Sequence, residues 1–293
     1  MRKVFIIGAN RTPIAKMGGA LASVSEVELG ATVIKEAVRR SGIPAEQVDH
    51  VYMGCVIQAG LGQNVARQAA IKAGLPVTTT AQTVNIVCGS GLDAVNSAAR
   101  MIQAGDAEIV IAGGMESMSN APFAMMKDRY GYKMGSPMVS TPLVDTMVND
   151  ALWDAVNNYH MGITAENVAE QWGITRTELD EFAVASQDKA SAAIAEGRFK
   201  EEIVPITIKG RKGDTFVDTD ERPRPGTTVE VLVRLKPAFK PDGIVTAGNS
   251  SGINDGAAAV ILVSEEKLRE LGLHPQAEWL GGALGRVDPS SWE

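Results

Sequence analysis

Between residues 3 and 114, short apolar runs alternate with amphipathic stretches of helical length, and this leaves few architectures open to the chain. The run 3-KVFIIGA-9 reads as a buried strand. The stretch 25-SEVELGATVIKEAVRRSG-42 reads as a helix, opened by Ser25 with acids close behind and stopped by Gly42 and Pro44. Next, 48-VDHVYMGCVIQ-58 is strand-like and 63-QNVARQAAIKAGL-75 is a second helix. A strand over 82-QTVNIVC-88 is predicted to feed a helix over 91-GLDAVNSAARMIQAG-105, and 107-AEIVIAGG-114 is again an apolar strand. Strands and helices in this alternation predict an α/β fold, a mostly parallel sheet with helices on both faces.

From residue 115 the pattern changes. Residues 115–150 are rich in Met, Gly and Pro and weakly periodic. Two helices follow, near 162-GITAENVAEQWG-173 and over 176–197, then a strand pair with a basic turn within 202–226 and a short helix. So long an excursion inside an α/β domain predicts a folded insertion rather than one loop. The sheet pattern returns at 257-AAAVILVSE-265, with a short helix behind it.

Composition removes several function classes. A net charge of -7 offers no dominant basic surface for nucleic acid or an anionic membrane. No stretch reaches membrane-spanning length, and the five-residue apolar run near the start is too short for a signal peptide. Two cysteines, Cys55 and Cys88, make neither a disulfide framework nor a zinc site, which fits a reducing, cytoplasmic setting.

Cys88 lies in 84-VNIVCGSGLDAV-95, where a strand gives way to a helix. Backbone N–H groups and the dipole at a helix start stabilise a thiolate, and the glycines around Ser90 let a ligand approach closely. The same amides could line an oxyanion site. The plainer reading is a small core residue beside a packing turn. A cysteine nucleophile wants a base, and the chain has only His50, His160 and His274. His50 and His274 read as surface residues. His160, opening a helix in 158-NYHMGITAEN-167, is the best site candidate, with a polar contact at a helix start as its alternative. Cys55 reads as core. The Gly-rich segment 246-TAGNSSGINDGAAAV-260 suits close ligand approach. Lys209, Arg211 and Lys212 read as a solvated hairpin turn, while Arg222 and Arg224 could meet phosphates.

Taken together, 11-RTPIAKMGGAL-21, 58-QAGLGQNVARQAA-70, 85-NIVCGSGLDAV-95, 112-AGGMESMSNAP-122, 159-YHMGITAENVA-169 and 246-TAGNSSGINDGAAA-259 resemble the thiolases of the short-chain, biosynthetic type. The resemblance runs from residue 1 to about 289 and implies a first α/β half formed by 1–118 and 244–272. It implies an inserted loop domain over 119–243 and the start of a second half over 273–293. It also implies acetyl-CoA C-acetyltransferase activity. Cys88 would take an acetyl group from acetyl-CoA, and the enolate of a second acetyl-CoA would attack it to give acetoacetyl-CoA. Coenzyme A thioesters would be substrates, with no cofactor and no metal.

Position by position, the resemblance puts His160 and Met161 against the acyl end of the substrate, with Met161 narrowing the pocket toward C4 chains. It puts Arg224 beside the CoA nucleotide, Ala247 and Ser251 along the pantetheine chain, and Leu152 and Phe239 as apolar contacts. Val231 stands where a serine is common. The family is usually tetrameric, and 52–70 matches its dimer contact, so a homodimer or homotetramer is implied.

The family's second half also carries Asn-Glu-Ala-Phe, Gly-His-Pro and Cys-x-Gly-Gly-Gly motifs, and none of them occurs here. The last residues read 287-VDPSSWE-293 where the family commonly reads Val-Asp-Pro-Ser-Ile-Met-Gly-Ile-Gly. Loss of one base in those codons would give Ser-Trp-Glu-stop. The expectation is therefore a frameshift just past Ser290, in the gene or in its sequencing, and little turnover by the lone chain. The alternative is a CoA-binding or assembly subunit that pairs with a separate C-terminal-half chain. A related ketosynthase is disfavoured by the His160–Met161 and 246–259 segments.

Overall fold

The computed structural model describes residues 2–126, 129, 131, 143–211 and 213–291. The predicted alternation becomes β1 (Val4–Arg11), β2 (Ala15–Lys16), α1 (Glu26–Ser41), β3 (His50–Gly54), α2 (Val65–Lys72), β4 (Thr80–Val84), α3 (Ser90–Ala104) and β5 (Ile109–Ser117). The chain then leaves the sheet and returns as β12 (Asn254–Ser264), α7 (Glu265–Glu270) and β13 (Ala277–Trp279). The excursion between them holds β6 (Phe123–Met125), β7 (Leu143–Asp145), β8 (Trp153–Asp154), β9 (Tyr159–His160), α4 (Met161–Trp172), α5 (Arg176–Ala195), β10 (Ile206–Ile208), β11 (Thr215–Val217) and α6 (Val229–Leu232).

The seven-stranded sheet has the order β13-β1-β12-β5-β3-β4, with β2 paired to β12. β3 runs parallel to β4 and to β5, while β12 is antiparallel to both β5 and β1. Five strands (β1, β2, β3, β4 and β5) thus share one direction, with β12 reversed between β1 and β5. β5 shows why the sheet stays dry on both sides. Ile109 and Ile111 join the core under α1 and α2, whereas Val110 and Ala112 join the core under α3. Successive strand residues point to opposite faces, so one fully apolar strand feeds two helical layers. Each such buried Val or Ile contributes about 1.5–3 kcal/mol.

Helix ends follow their local chemistry. Ser25 Oγ accepts from Glu28 N to open α1, and Gly42, with φ of 72°, closes it. Two readings need correction. The strand expected over 82–88 ends at Val84, because Asn85 Oδ1 accepts from Val87 N at 3.1 Å and turns the chain out of the ladder. His50 is not a surface residue: it is 8% exposed, tilted against Tyr52, with Nδ1 2.6 Å from Thr80 Oγ1.

In the excursion, β10 and β11 form the expected hairpin, and Lys209 and Arg211 in its turn are exposed. Lys212, residues 132–142, Trp292 and Glu293 lie outside the described residues. Arg11, in β1, ties this region to the sheet. Its guanidinium meets Asp220 at 2.7 and 3.0 Å and Glu202 at 2.6 Å, over the ring of Phe199. β13 adds to the free side of β1, so residues 277–279 are bonded into the same sheet. No helix among the described residues is long and apolar enough to cross a membrane.

Candidate active site

Cys88 sits between the end of β4 and the start of α3, exposed, on a turn with unusual backbone geometry. Val87, just before it, has φ of 56°. A β-branched residue in the left-handed region costs about 1–2 kcal/mol, so the surroundings must hold it there. They do so with Asn85, which accepts from Val87 N, and with Ser90, whose N–H and hydroxyl both donate to Val87 O. Ser90 Oγ in turn accepts from Ile86 N at 3.0 Å. Gly54 lets this corner close onto the sheet, since a Cβ there would lie 2.8 Å from Ser90 and Gly91. Gly89 caps α3 without a side-chain bond, leaving the positive end of the helix open next to Cys88.

Two cavities reach Cys88. One, of about 530 Å³, is shared with Leu152, His160, Met161, Phe239 and Ser251. The other, of about 420 Å³, lies over the strand ends of the sheet and includes Glu116 and Asn254. A larger groove of about 620 Å³ between α1 and β10 is lined by Lys35, Lys72 and Lys209 and holds neither cysteine nor histidine. The chemistry therefore points to the two cavities around Cys88, not to the groove between α1 and β10.

Six of the eight residues expected from the sequence meet in the 530 Å³ cavity. Leu152 arrives on a π-helical turn over Val148–Leu152, and His160 is the N-cap of α4. Phe239 stacks on the imidazole at 4.8 Å between centroids, over Gly162, where a Cβ would strike the ring at 2.2 Å. Arg224 and Ala247 are exposed and line neither cavity. The backbone N–H of Arg224 donates to Gln187 Oε1 at 2.7 Å.

The sequence reading offered His160 as the candidate base, and the hydrogen bonding assigns it otherwise. Its Nδ1 accepts from Gly162 N at 3.0 Å, so the neutral ring carries its proton on Nε2 and acts there as a donor. Burial lowers its pKa, which keeps it neutral at pH 7. Cys55 is core, as expected: burial, then the charges of Glu116 and Glu26, push its thiol far up. No group of His, Cys, Asp or Glu among the described residues could hold a metal ion.

Several supporting residues carried no role in the sequence reading. Glu166, 2% exposed, accepts from Ile244 N and Val245 N at 3.0 and 2.9 Å and fixes the segment that leads to Ser251. Asn249 bridges Asp180, Ile244 O and Thr246 N. An acid within a helix gives no sign in sequence that its partners lie some eighty residues on. Asn85 did carry a signal, since Asn inside a strand pattern marks a turn.

Known proteins are similar to this chain. Residues 4–266 match the profile described as "Thiolase, N-terminal domain". An acetyl-CoA acetyltransferase of Syntrophomonas wolfei is 56% identical over 289 residues, which are 99% of this chain and 72% of that protein. One of Cupriavidus necator is 56% identical over 290 residues, covering 99% and 73%. A crystal structure of the Bacillus anthracis acetyl-CoA acetyltransferase superposes with a TM-score of 0.95 at 45% identity, covering 99% of this chain and 73% of that one. With the profile matching most of its length and relatives more than half identical over nearly all of it, this chain belongs to the thiolase family.

Proposed function

We propose that the chain serves acetyl-CoA C-acetyltransferase chemistry, with Cys88 as the acetyl acceptor. The carrying observation is an exposed cysteine, after a strained Val87, at the start of α3 and in a cavity shared with a neutral, proton-donating His160. The Cys88 thiolate attacks the thioester carbonyl carbon of acetyl-CoA, the C–S bond to coenzyme A breaks, and CoA leaves as its thiolate. The enolate of a second acetyl-CoA then attacks the acetyl-cysteine, acetoacetyl-CoA forms, and Cys88 is regenerated. Thiolysis is the reverse.

His160 Nε2–H is suited to donate to a thioester or pantetheine carbonyl near Cys88. Leu152, Met161 and Phe239 supply an apolar wall that favours short acyl chains, and Ser251 and Ala247 flank the pantetheine path. Arg224 would meet the nucleotide phosphates from the rim. Coenzyme A thioesters are the substrates, with no further cofactor. The reading extends to a cytoplasmic homo-oligomer, a dimer or tetramer. The two cavities at Cys88 contain no second cysteine, so enolate formation is not assigned to a residue of these cavities.

Incubation of the purified chain with acetyl-CoA, followed by peptide mass spectrometry, tests the first step. One acetyl group on Cys88, absent in Cys88→Ser, is expected. An unmodified Cys88 under saturating acetyl-CoA would falsify the proposal.

A further inference from the structure

β3 and β5 pair in parallel up to Gly54 and Gly114, and there the backbone ladder between them ends. Two residues beyond, the side chain of Glu116 on β5 continues it. Its Oε2 accepts from Val56 N at 2.8 Å and its Oε1 from Ile57 N at 3.1 Å. The loop so held carries Val56 O, which accepts from Asn85 Nδ2 at 3.3 Å. The other end of that amide, Asn85 Oδ1, accepts from Val87 N, the residue with φ of 56° that precedes Cys88. A continuous path thus joins the central strand of the sheet to the cysteine turn, through one carboxylate and one side-chain amide. Gln58 Nε2 braces the loop by donating to Cys55 O at 2.9 Å, and Cys55 N donates to Val84 O at 3.1 Å.

Burial raises the Glu116 carboxyl, and the two backbone N–H groups of Val56 and Ile57 are what oppose that rise. A carboxylate accepting two backbone N–H groups makes charge-assisted bonds, stronger than neutral ones. Glu116 lies among other acids: Glu26 of α1 is pushed up to about 7 by burial and by the Glu116 charge, and Asp255 of β12 is spent on Ser117 and Ser119.

We propose that Glu116 is a positioning residue for Cys88, acting through Val56 and Asn85 to hold the Val87 turn. This rests on the reading of Cys88 as the nucleophile. Residues on one path are coupled, so their substitutions do not add, whereas two independent structural roles would add.

The test is a double-mutant cycle of Glu116→Gln and Asn85→Asp in the full chain, read as the rate of Cys88 alkylation by iodoacetamide at pH 7. Gln at 116 presents an amide N–H₂ to one of the two N–H donors. Asp at 85 still accepts from Val87 N but cannot donate to Val56 O. Each single variant is expected to change the rate roughly three- to tenfold, and the double variant no more than the larger single. An unchanged far-UV circular dichroism spectrum at the assay temperature reports intact structure in each variant, because Cys55 itself contacts Glu116 and is no independent reporter. Additive effects would overturn the proposal. Asn85→Asp replaces an exposed side chain and leaves folding intact, so a wild-type alkylation rate in that variant alone also overturns it, whatever Glu116→Gln does. Alkylation needs no coenzyme A, so failure of Cys88 to accept an acetyl group would sink the proposed function and leave this test standing.

Discussion

Two helices of similar length show how differently the two parts of this molecule are held. α1, on the sheet, has 16 residues and buries Leu29, Val33, Ile34 and Ala37 against β5 and β12. α5, in the excursion, has 20 residues and buries only Asp180. The sheet domain is held by apolar area, which is non-directional and shared among many contacts. The excursion buries fewer apolar side chains, among them Ile206 and Val217 in the core it shares with the sheet, and adds directional bonds: Arg11 to Asp220, Glu166 to the 244–245 backbone, and Asn249 to Asp180. Cys88 belongs to the first region and His160 to the second, so the site is assembled across two kinds of stabilisation.

The strongest blow to that contrast comes from the sheet. Ile111→Ala, at a fully buried position of β5, is expected to cost about 2–5 kcal/mol in denaturant unfolding. A loss below about 1 kcal/mol would mean the sheet core is not close-packed. Glu166→Ala comes next. It strands the N–H groups of Ile244 and Val245 and should cost about 1–3 kcal/mol, felt as faster hydrogen exchange over 244–246 with the β5 amides unchanged. Equal loss of protection in β5 would erase the distinction between the regions.

The smallest effect is expected at Glu36, on the outer side of α1. Hydrogen bonds from Arg39 and then Arg40 lower its carboxyl to about 2. A pKa depressed on folding contributes stability that is present above the unfolded value and is lost as pH falls through the folded one. Glu36→Gln should therefore remove at most about 1 kcal/mol at pH 7, and the variant and parent should converge as pH falls from about 4.5 toward about 2. A cost at pH 7 matching that of Glu166→Ala would show that surface ion pairs stabilise the sheet domain too.

The sheet domain was legible because its residues repeat with the period of the element they build. Helix α1 could be placed from Ser25 to Gly42 within a residue, since the cap, the apolar stripe and the stop are all local. The turn at 85–88 was misread as strand, because Ile86 and Val87 have strand propensity and a single Asn was outvoted. His50 was misread for a related reason: polar type suggested surface, yet pairing with Thr80 across two parallel strands makes its burial tolerable.

The sequence by itself determined the α/β class, the long segment between β5 and β12 and most of the residues that share a cavity with Cys88, through periodicity and through motifs that resemble thiolases. Only the tertiary structure decided that His160 Nδ1 is taken by Gly162 N, that Arg224 and Ala247 lie off the cavity, and that Glu116 is linked to the Cys88 turn through Val56 and Asn85. Each of these depends on a hydrogen bond or a cavity between groups distant in the chain or on the direction of one ring nitrogen. Propensity and spacing report local energies, and such directional, non-local contacts exist only once the strands have paired.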